Sequence, residues 1–166
     1  MKVLGIDPGT LNMGFGIIDE QGAGSMVMVD CGVVSIPSKM PVEQRLCALH
    51  EALQKIITEH HPEEVAIEEP FVAGNVRSAL AIGRAQAIAI LAATQANLPV
   101  FRYMPTQVKQ LVTNYGRSSK DQVQQVVKLQ LGVTLLPEAS DAADALAVAI
   151  CHLNQRHLQT ILSRGY

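Results

Sequence analysis

The sequence predicts an α/β domain: a mixed five-stranded sheet, three antiparallel strands followed by parallel ones, flanked by helices. Three observations lead there. The first 36 residues hold three β-branched, apolar runs separated by turn residues. From residue 41 onward, helix-period and strand-like segments alternate. No linker, repeat or low-complexity stretch divides the 166 residues. A chain of this length buries roughly two thirds of its unfolded surface, enough for a core without staples. A single domain over residues 1–166 is expected.

The elements follow in order. Residues 2–7, 13–20 and 26–36 read as strands, with Pro8-Gly9 and Glu20-Gln21-Gly22 as turns between them. From Pro41 to His60, the residues Val42, Leu46, Leu49, Leu53, Ile56 and Ile57 recur at helical spacing, and Pro41 suits a first turn. That helix is a crossover. Glu64–Glu68 is a short strand, Asn75–Ala96 a long helix and Pro99–Tyr103 a further strand. Helices are then expected around Ser118–Leu131 and Ser140–Gln155.

Composition removes several function classes. No clean run of about 18 uncharged apolar residues is present, the nearest being the Ala-rich stretch 85–100, interrupted by Gln86, Gln95 and Asn97. Met1-Lys2 leads directly into a strand without a cleavage pattern, so a cytosolic location is expected. Cys31, Cys47 and Cys151 lack C-x-x-C spacing, which argues for buried free thiols rather than disulfides or zinc. Net charge is −2, yet its distribution is uneven. Between Ala73 and Gln130, seven basic residues face Asp121 alone, leaving the remainder strongly acidic. A basic stretch beside carboxylates is the footprint of a polyanion brought to a metal site.

Four carboxylates define that site. Asp7 ends the apolar strand of KVLGIDPGT, and Pro8-Gly9 turns the chain immediately after it. Asp-Pro-Gly is also ordinary turn chemistry. Glu68 ends the strand Val65-Ala66-Ile67 in the same way, but neighbouring side chains on a strand face opposite ways. Only one of Glu68 and Glu69 can enter the site, and spacing does not choose between them. Ser140 suits an N-cap, so Asp141 in the following turn has a structural explanation in the helix dipole. Asp144 has none: it shares a face with Asp141 and leads into Ala145, Leu146, Val148, Ala149 and Ile150. Two such carboxylates repel unless a cation lies between them, so hard divalent ions with oxygen ligands are expected.

The segments GIDPGT, GFGII, AIEEPF, PTQVKQLV, SSKDQVQQ and SDAADALAVAI resemble, in order and spacing, the RuvC-type Holliday junction resolvases. The resemblance runs over nearly the whole chain. It implies an RNase H-like fold, a homodimer, and Mg²⁺-dependent nicking of four-way junction DNA during recombination and repair. Two Mg²⁺ per subunit are implied, with Mn²⁺ as a substitute. A branch-migration complex of RuvA and RuvB type is the implied partner. The resemblance makes Asp7, Glu68, Asp141 and Asp144 the metal-binding catalytic tetrad, and it selects Glu68 over Glu69. Lys109 and Lys120 become basic catalytic residues at the scissile phosphate. Phe71 becomes a wedge at the junction centre, with Asn75, Arg77, Arg84 and Arg117 as further DNA contacts.

Three other readings compete. GIDPGT also looks like the phosphate-binding turn of the sugar kinase, Hsp70 and actin superfamily, though those proteins need far more chain. An RNase H-like nuclease acting on RNA or flaps is the second, and a non-enzymatic junction binder is the third. The helix Asn75–Ala96 bears separately on assembly, since its only charges are Arg77 and Arg84. Apolar on nearly all sides, it needs burial on nearly all sides. Ala79, Gly83, Ala87 and Ala93 would let a twofold mate approach. His50, His60 and His61 form no ligand spacing and are expected in solvent. His152 stands about 12 Å along its helix from Asp144, too far to share an ion.

Overall fold

The computed structural model describes residues 1–22, 24–69, 76–137 and 139–164. The chain runs β1 (Lys2–Asp7), β2 (Asn12–Gln21), β3 (Ser25–Ser35), α1 (Val42–His60), β4 (Glu64–Glu68), α2 (Val76–Gln95), β5 (Val100–Tyr103), α3 (Pro105–Thr113), α4 (Lys120–Leu131) and α5 (Ser140–Arg164). The sheet order is β3-β2-β1-β4-β5. β1–β2 and β2–β3 pair antiparallel, β1–β4 and β4–β5 parallel, as the sequence predicts.

Strand alternation divides the labour between the two faces. Leu4, Ile6, Met13, Ile17, Val65 and Ile67 pack under α1 and α2. Val3, Ile18 and Ala66 pack under α3, α4 and α5. β1 is the central strand, so Gly5 and Asp7, in phase with Val3, face α5 as well.

α5 is the helix buried all round. From Ala142 to Leu153 every residue except Asp144 is at most 2% exposed. It reaches that depth because it lies on backbone rather than on side chains. A Cβ at Gly5 would sit 2.1 Å from the Ala145 carbonyl oxygen, and one at Gly14 would sit 1.9 Å from that of Asp141. Alanines 142, 143, 145, 147 and 149 supply the matching small surface on the helix. Within the single chain α2 buries only the stripe Ala85, Ala89, Ala92 and Ala93, chiefly against α1, which leaves uncovered the other apolar faces that the sequence reading expects a second copy to cover. By length and apolar content alone α2 could also span a bilayer. Its packing on α1 gives one face a different purpose.

Other departures have local causes. No separate element was expected between Tyr103 and Ser118, where α3 forms with Pro105 in its first turn. Met104 is an unusual N-cap, and Gln107 Oε1 accepts its backbone N–H at 2.8 Å. α5 continues nine residues past Gln155 because neither Gly nor Pro intervenes before Gly165. Cys151 is buried and Cys31 half-buried, but Cys47 is exposed. The histidines are not simply solvated: His60 Nε2 lies 3.0 Å from Asp30, and His50 Nε2 lies 2.7 Å from Gln95 Oε1.

Gly5→Ala and Gly14→Ala force α5 off the sheet, so each lowers stability by about 1–3 kcal/mol or more. In a thermal melt this is roughly 2–4 °C per kcal/mol. An unchanged melting temperature for both contradicts the backbone contact.

Candidate active site

The C-terminal ends of β1 and β4 deliver two carboxylates to the α5 face, and the first turns of α5 deliver two more. Ligand oxygens of Asp7, Asp141 and Asp144 all lie within 4.8 Å of one another. Glu68 lines the same cleft as Asp144, close enough for the charges of Asp7 and Asp144 to act on its carboxyl. Glu69 points elsewhere: its carboxylate lies 3.3 Å from Arg102 Nη1 on β5, and its backbone N–H donates to the Tyr103 carbonyl. Strand alternation therefore separates the two glutamates, and it removes Arg102 from the free basic charges of the central stretch.

Lys120 and Lys109 complete the cleft. Lys120 Nζ donates to Asp144 Oδ2 at 2.6 Å. Glu68, Lys109, Lys120 and Asp144 line a cleft of about 200 Å³ together with Pro105 and Val108 of α3. The lysines arrive on separate helices. α3 carries Lys109, and Ser119 caps α4 through the Gln122 backbone so that Lys120 opens that helix.

The electrostatics describe a site built for more positive charge than the protein supplies. Burial, then the charges of Asp144 and Asp141, raise Asp7 from 3.8 to about 6, against the lowering effect of Lys120. Burial, then Asp7 and Asp144, raise Glu68 from 4.5 to about 7. The two carboxyls are coupled and titrate as a pair. Desolvation pulls Lys120 down, but its bond to Asp144 and the acidic charges outweigh that and leave it raised. The donors are all carboxylate oxygens with solvent access, which fits hard divalent cations with retained waters.

Of the remaining predicted contacts, Arg117 is exposed on the loop between α3 and α4. Arg77 and Arg84 are exposed on α2, beneath the opposite face of the sheet. Phe71 and Asn75 lie outside the described residues. One polar cluster carried no sequence signal. His152, fully buried, meets the Tyr103 hydroxyl at 2.7 Å through Nδ1 and Glu64 at 2.5 Å through Nε2, while Arg156 pairs with Glu64 at 2.6 Å. Burial lowers the His152 pKa, with Glu64 opposing. The cluster ties α5 to β4 and β5, away from the carboxylates.

An RNase H-like sheet with clustered carboxylates and two lysines at the end of its central strands defines a phosphodiester-cleaving nuclease. The crossover junction endodeoxyribonuclease RuvC family model matches residues 3–152. A RuvC of Dehalococcoides mccartyi is 46% identical over 165 residues, covering 99% of this chain and 98% of the relative. A RuvC of Alkaliphilus oremlandii is 48% identical over 152 residues, covering 92% of each. The structure of T. thermophilus RuvC in complex with Holliday junction substrate aligns with a TM-score of 0.91 at 33% identity, covering 96% of this chain and 97% of that one. The chain belongs to the RuvC family of crossover junction endodeoxyribonucleases and is a Holliday junction resolvase.

An acid whose pKa is higher folded than unfolded makes the folded state retain its proton longer. Stability therefore falls as pH rises, here across about pH 4 to 7. Melts in EDTA are expected to drop over that window by an amount on the order of 3–6 kcal/mol. Divalent ions reverse the loss most strongly above pH 7. Asp7→Asn raises the melting temperature in EDTA and abolishes the ion-induced gain. A pH-independent melt, or an unaltered response to ions in the variant, contradicts the clustered-charge account.

Proposed function

We propose that this chain, as a homodimer, nicks two symmetry-related strands of a four-way DNA junction with Mg²⁺ held by Asp7, Glu68, Asp141 and Asp144. The supporting observation is the convergence of these carboxylates with Lys109 and Lys120 in one cleft. Asp7, on the central strand and in contact with both the Glu68 and the α5 carboxylates, is the natural shared ligand. Two ions per subunit match four carboxylates, and Mn²⁺, with similar preference for oxygen, substitutes for Mg²⁺. Bound ions supply Lewis-acid stabilisation of the phosphoryl oxygens and lower the pKa of the attacking water.

The chain's own residues set the rest. Glu68 gives up its proton before it can act as a ligand, so activity falls on the acid side of neutrality. Lys120, relieved of neutralising Asp144, becomes available to the phosphate, and Lys109 reaches the same cleft from α3. The hydrolysis displaces the 3′-oxygen and leaves a nick in one strand.

A second copy explains the outer face of α2. Val76, Leu80 and Leu91 are 69%, 56% and 45% exposed there, beside Ala79, Gly83 and Ala87. Ala93 is not available to a mate, since it is fully buried in the core. A twofold assembly across α2 places two equivalent sites on one junction. A RuvA–RuvB-type branch-migration complex is proposed as partner on family membership alone.

A labelled four-way junction is expected to give paired symmetric nicks with Mg²⁺ and none with EDTA. Asp7→Asn retains junction binding while cleavage falls on the order of 10²–10³-fold or more. Wild-type cleavage by Asp7→Asn is incompatible with the proposed site. Comparing Y-shaped and RNA–DNA hybrid substrates separates junction selectivity from general nuclease action.

The dimer has its own test. A Cβ at Gly83 meets nothing within 4 Å in the single chain, so Gly83→Leu leaves the monomer fold intact. It is expected to sediment as a monomer at micromolar concentration while the wild type sediments as a dimer. A dimeric Gly83→Leu places the interface elsewhere.

A further inference from the structure

Between the helices that carry Lys109 and Lys120 runs the loop Asn114–Ser119, and its construction exceeds what a connection requires. Thr113 Oγ1 lies 2.8 Å from the Lys109 carbonyl, 3.0 Å from the Tyr115 carbonyl and 2.7 Å from Ser118 Oγ. It also accepts the Tyr115 N–H at 3.2 Å. The Ser118 hydroxyl and backbone N–H reach the Tyr115 carbonyl at 2.8 and 3.1 Å, and Gln110 Nε2 donates to the Asn114 carbonyl at 3.1 Å. Ser118 is itself 4% exposed, so its own bonds are partly shielded from water, while those of Gln110 and of the Tyr115 N–H lie at the surface.

The turn also folds back along α3. A Cβ at Gly116 would sit 3.6 Å from the Thr106 carbonyl oxygen and 3.4 Å from Gln110 Oε1. Thr106 follows Pro105, which lines the cleft, and Lys120 follows the turn directly. The Tyr115-Gly116-Arg117 segment therefore lies against α3 beside Thr106, one residue from the cleft-lining Pro105.

What the bracing presents is an aromatic ring and a guanidinium. Tyr115 is 58% exposed and Arg117 is exposed, and among the described residues neither side chain has a hydrogen-bond or ion-pair partner. A tyrosine fixed by its backbone loses little entropy on contact and offers an apolar face with a wet tip. Beside a phosphate-cleaving cleft, that combination suits a nucleotide: rings stack on bases, and guanidinium groups pair with phosphates.

We propose that the Tyr115–Arg117 turn grips the DNA strand leaving the cleft, Tyr115 by stacking on a base next to the scissile phosphate and Arg117 by pairing with a neighbouring phosphate. The proposal deepens the resolvase reading and rests on it. It gives each subunit a contact that fixes which phosphate reaches the carboxylates.

The test uses the full-length protein and a four-way junction with 2-aminopurine at single positions flanking the cut. Binding is measured in the Asp7→Asn background and cleavage in the otherwise wild-type chain. Tyr115→Ala is expected to lose the fluorescence change at one flanking position and to cut roughly tenfold more slowly, while Tyr115→Phe keeps both. Arg117→Ala weakens binding and lowers the salt-dependence slope by about 1. Neither substitution lowers the melting temperature, because both side chains are exposed. Tyr115→Ala with unaltered fluorescence and cutting, in an assay where the wild type resolves the junction, overturns the grip alone. A wild type that neither binds nor cuts four-way junctions overturns the resolvase reading and the grip with it.

Discussion

Backbone-to-backbone contact between α5 and the strands β1 and β2 is the constraint from which the active site follows. Helices normally stand off a sheet by the length of their side chains. Here Gly5 and Gly14 remove that spacer, and the alanines of α5 remove it from the other side. The first turn of α5 is thereby set against β2, and Asp141 and Asp144 come within metal-sharing distance of Asp7. A longer separation would leave the same carboxylates on the same elements with nothing to share. Small residues here serve geometry at the expense of side-chain packing. Flanking large residues such as Leu146, Ile150 and Leu153 restore the apolar burial, each worth about 1.5–3 kcal/mol.

The same closeness creates an electrostatic debt that the protein leaves partly unmet. Lys120 offsets one carboxylate, and the proton that the coupled Asp7 and Glu68 carboxyls retain toward neutrality offsets another. The contrast lies midway along α5, where His152, Tyr103, Glu64 and Arg156 satisfy one another. One polar cluster on this helix is closed and serves anchoring; the other is open on the charge side and serves binding. Since the closed cluster ties α5 to β4 and β5, it also holds the register of the strand that carries Glu68.

Much of this was legible in the sequence because strand parity and helical spacing survive in any fold. The five strands and the antiparallel-then-parallel mix of the sheet could be read from apolar runs and turn residues, though not the strand order, and Asp144 stood out as an acid in an apolar helix. Spacing alone could not choose Glu68 over Glu69, a choice that only the family resemblance supplied, for it depends on which face of β4 meets α5. Arg102 on β5 shows the answer in space. α3 escaped notice because nine residues with a methionine N-cap offer a weak signal. That α5, rather than α2, is the helix the single chain covers most completely is not legible in composition, which reports that a helix is apolar, while only packing reports which layer covers it. The His152 cluster joins residues 64, 103, 152 and 156, and no local pattern links positions so far apart.

The two faces of the sheet then acquire different tasks for a physical reason. On one face, α5 must be immobile, since carboxylates that drift by an ångström lose the shared ion, and that face is the more completely buried. On the other, α2 keeps an apolar stripe exposed, a feature with a cost in water unless another surface covers it. The site of chemistry and the face proposed for assembly are thus separated by the thickness of the sheet. Glu68 and α2 are nevertheless consecutive along the chain, joined by a short segment after β4. Val76, where α2 begins, is only eight residues on from Glu68, so the proposed subunit contact and the proposed metal site lie close together along the chain although the sheet divides them in space.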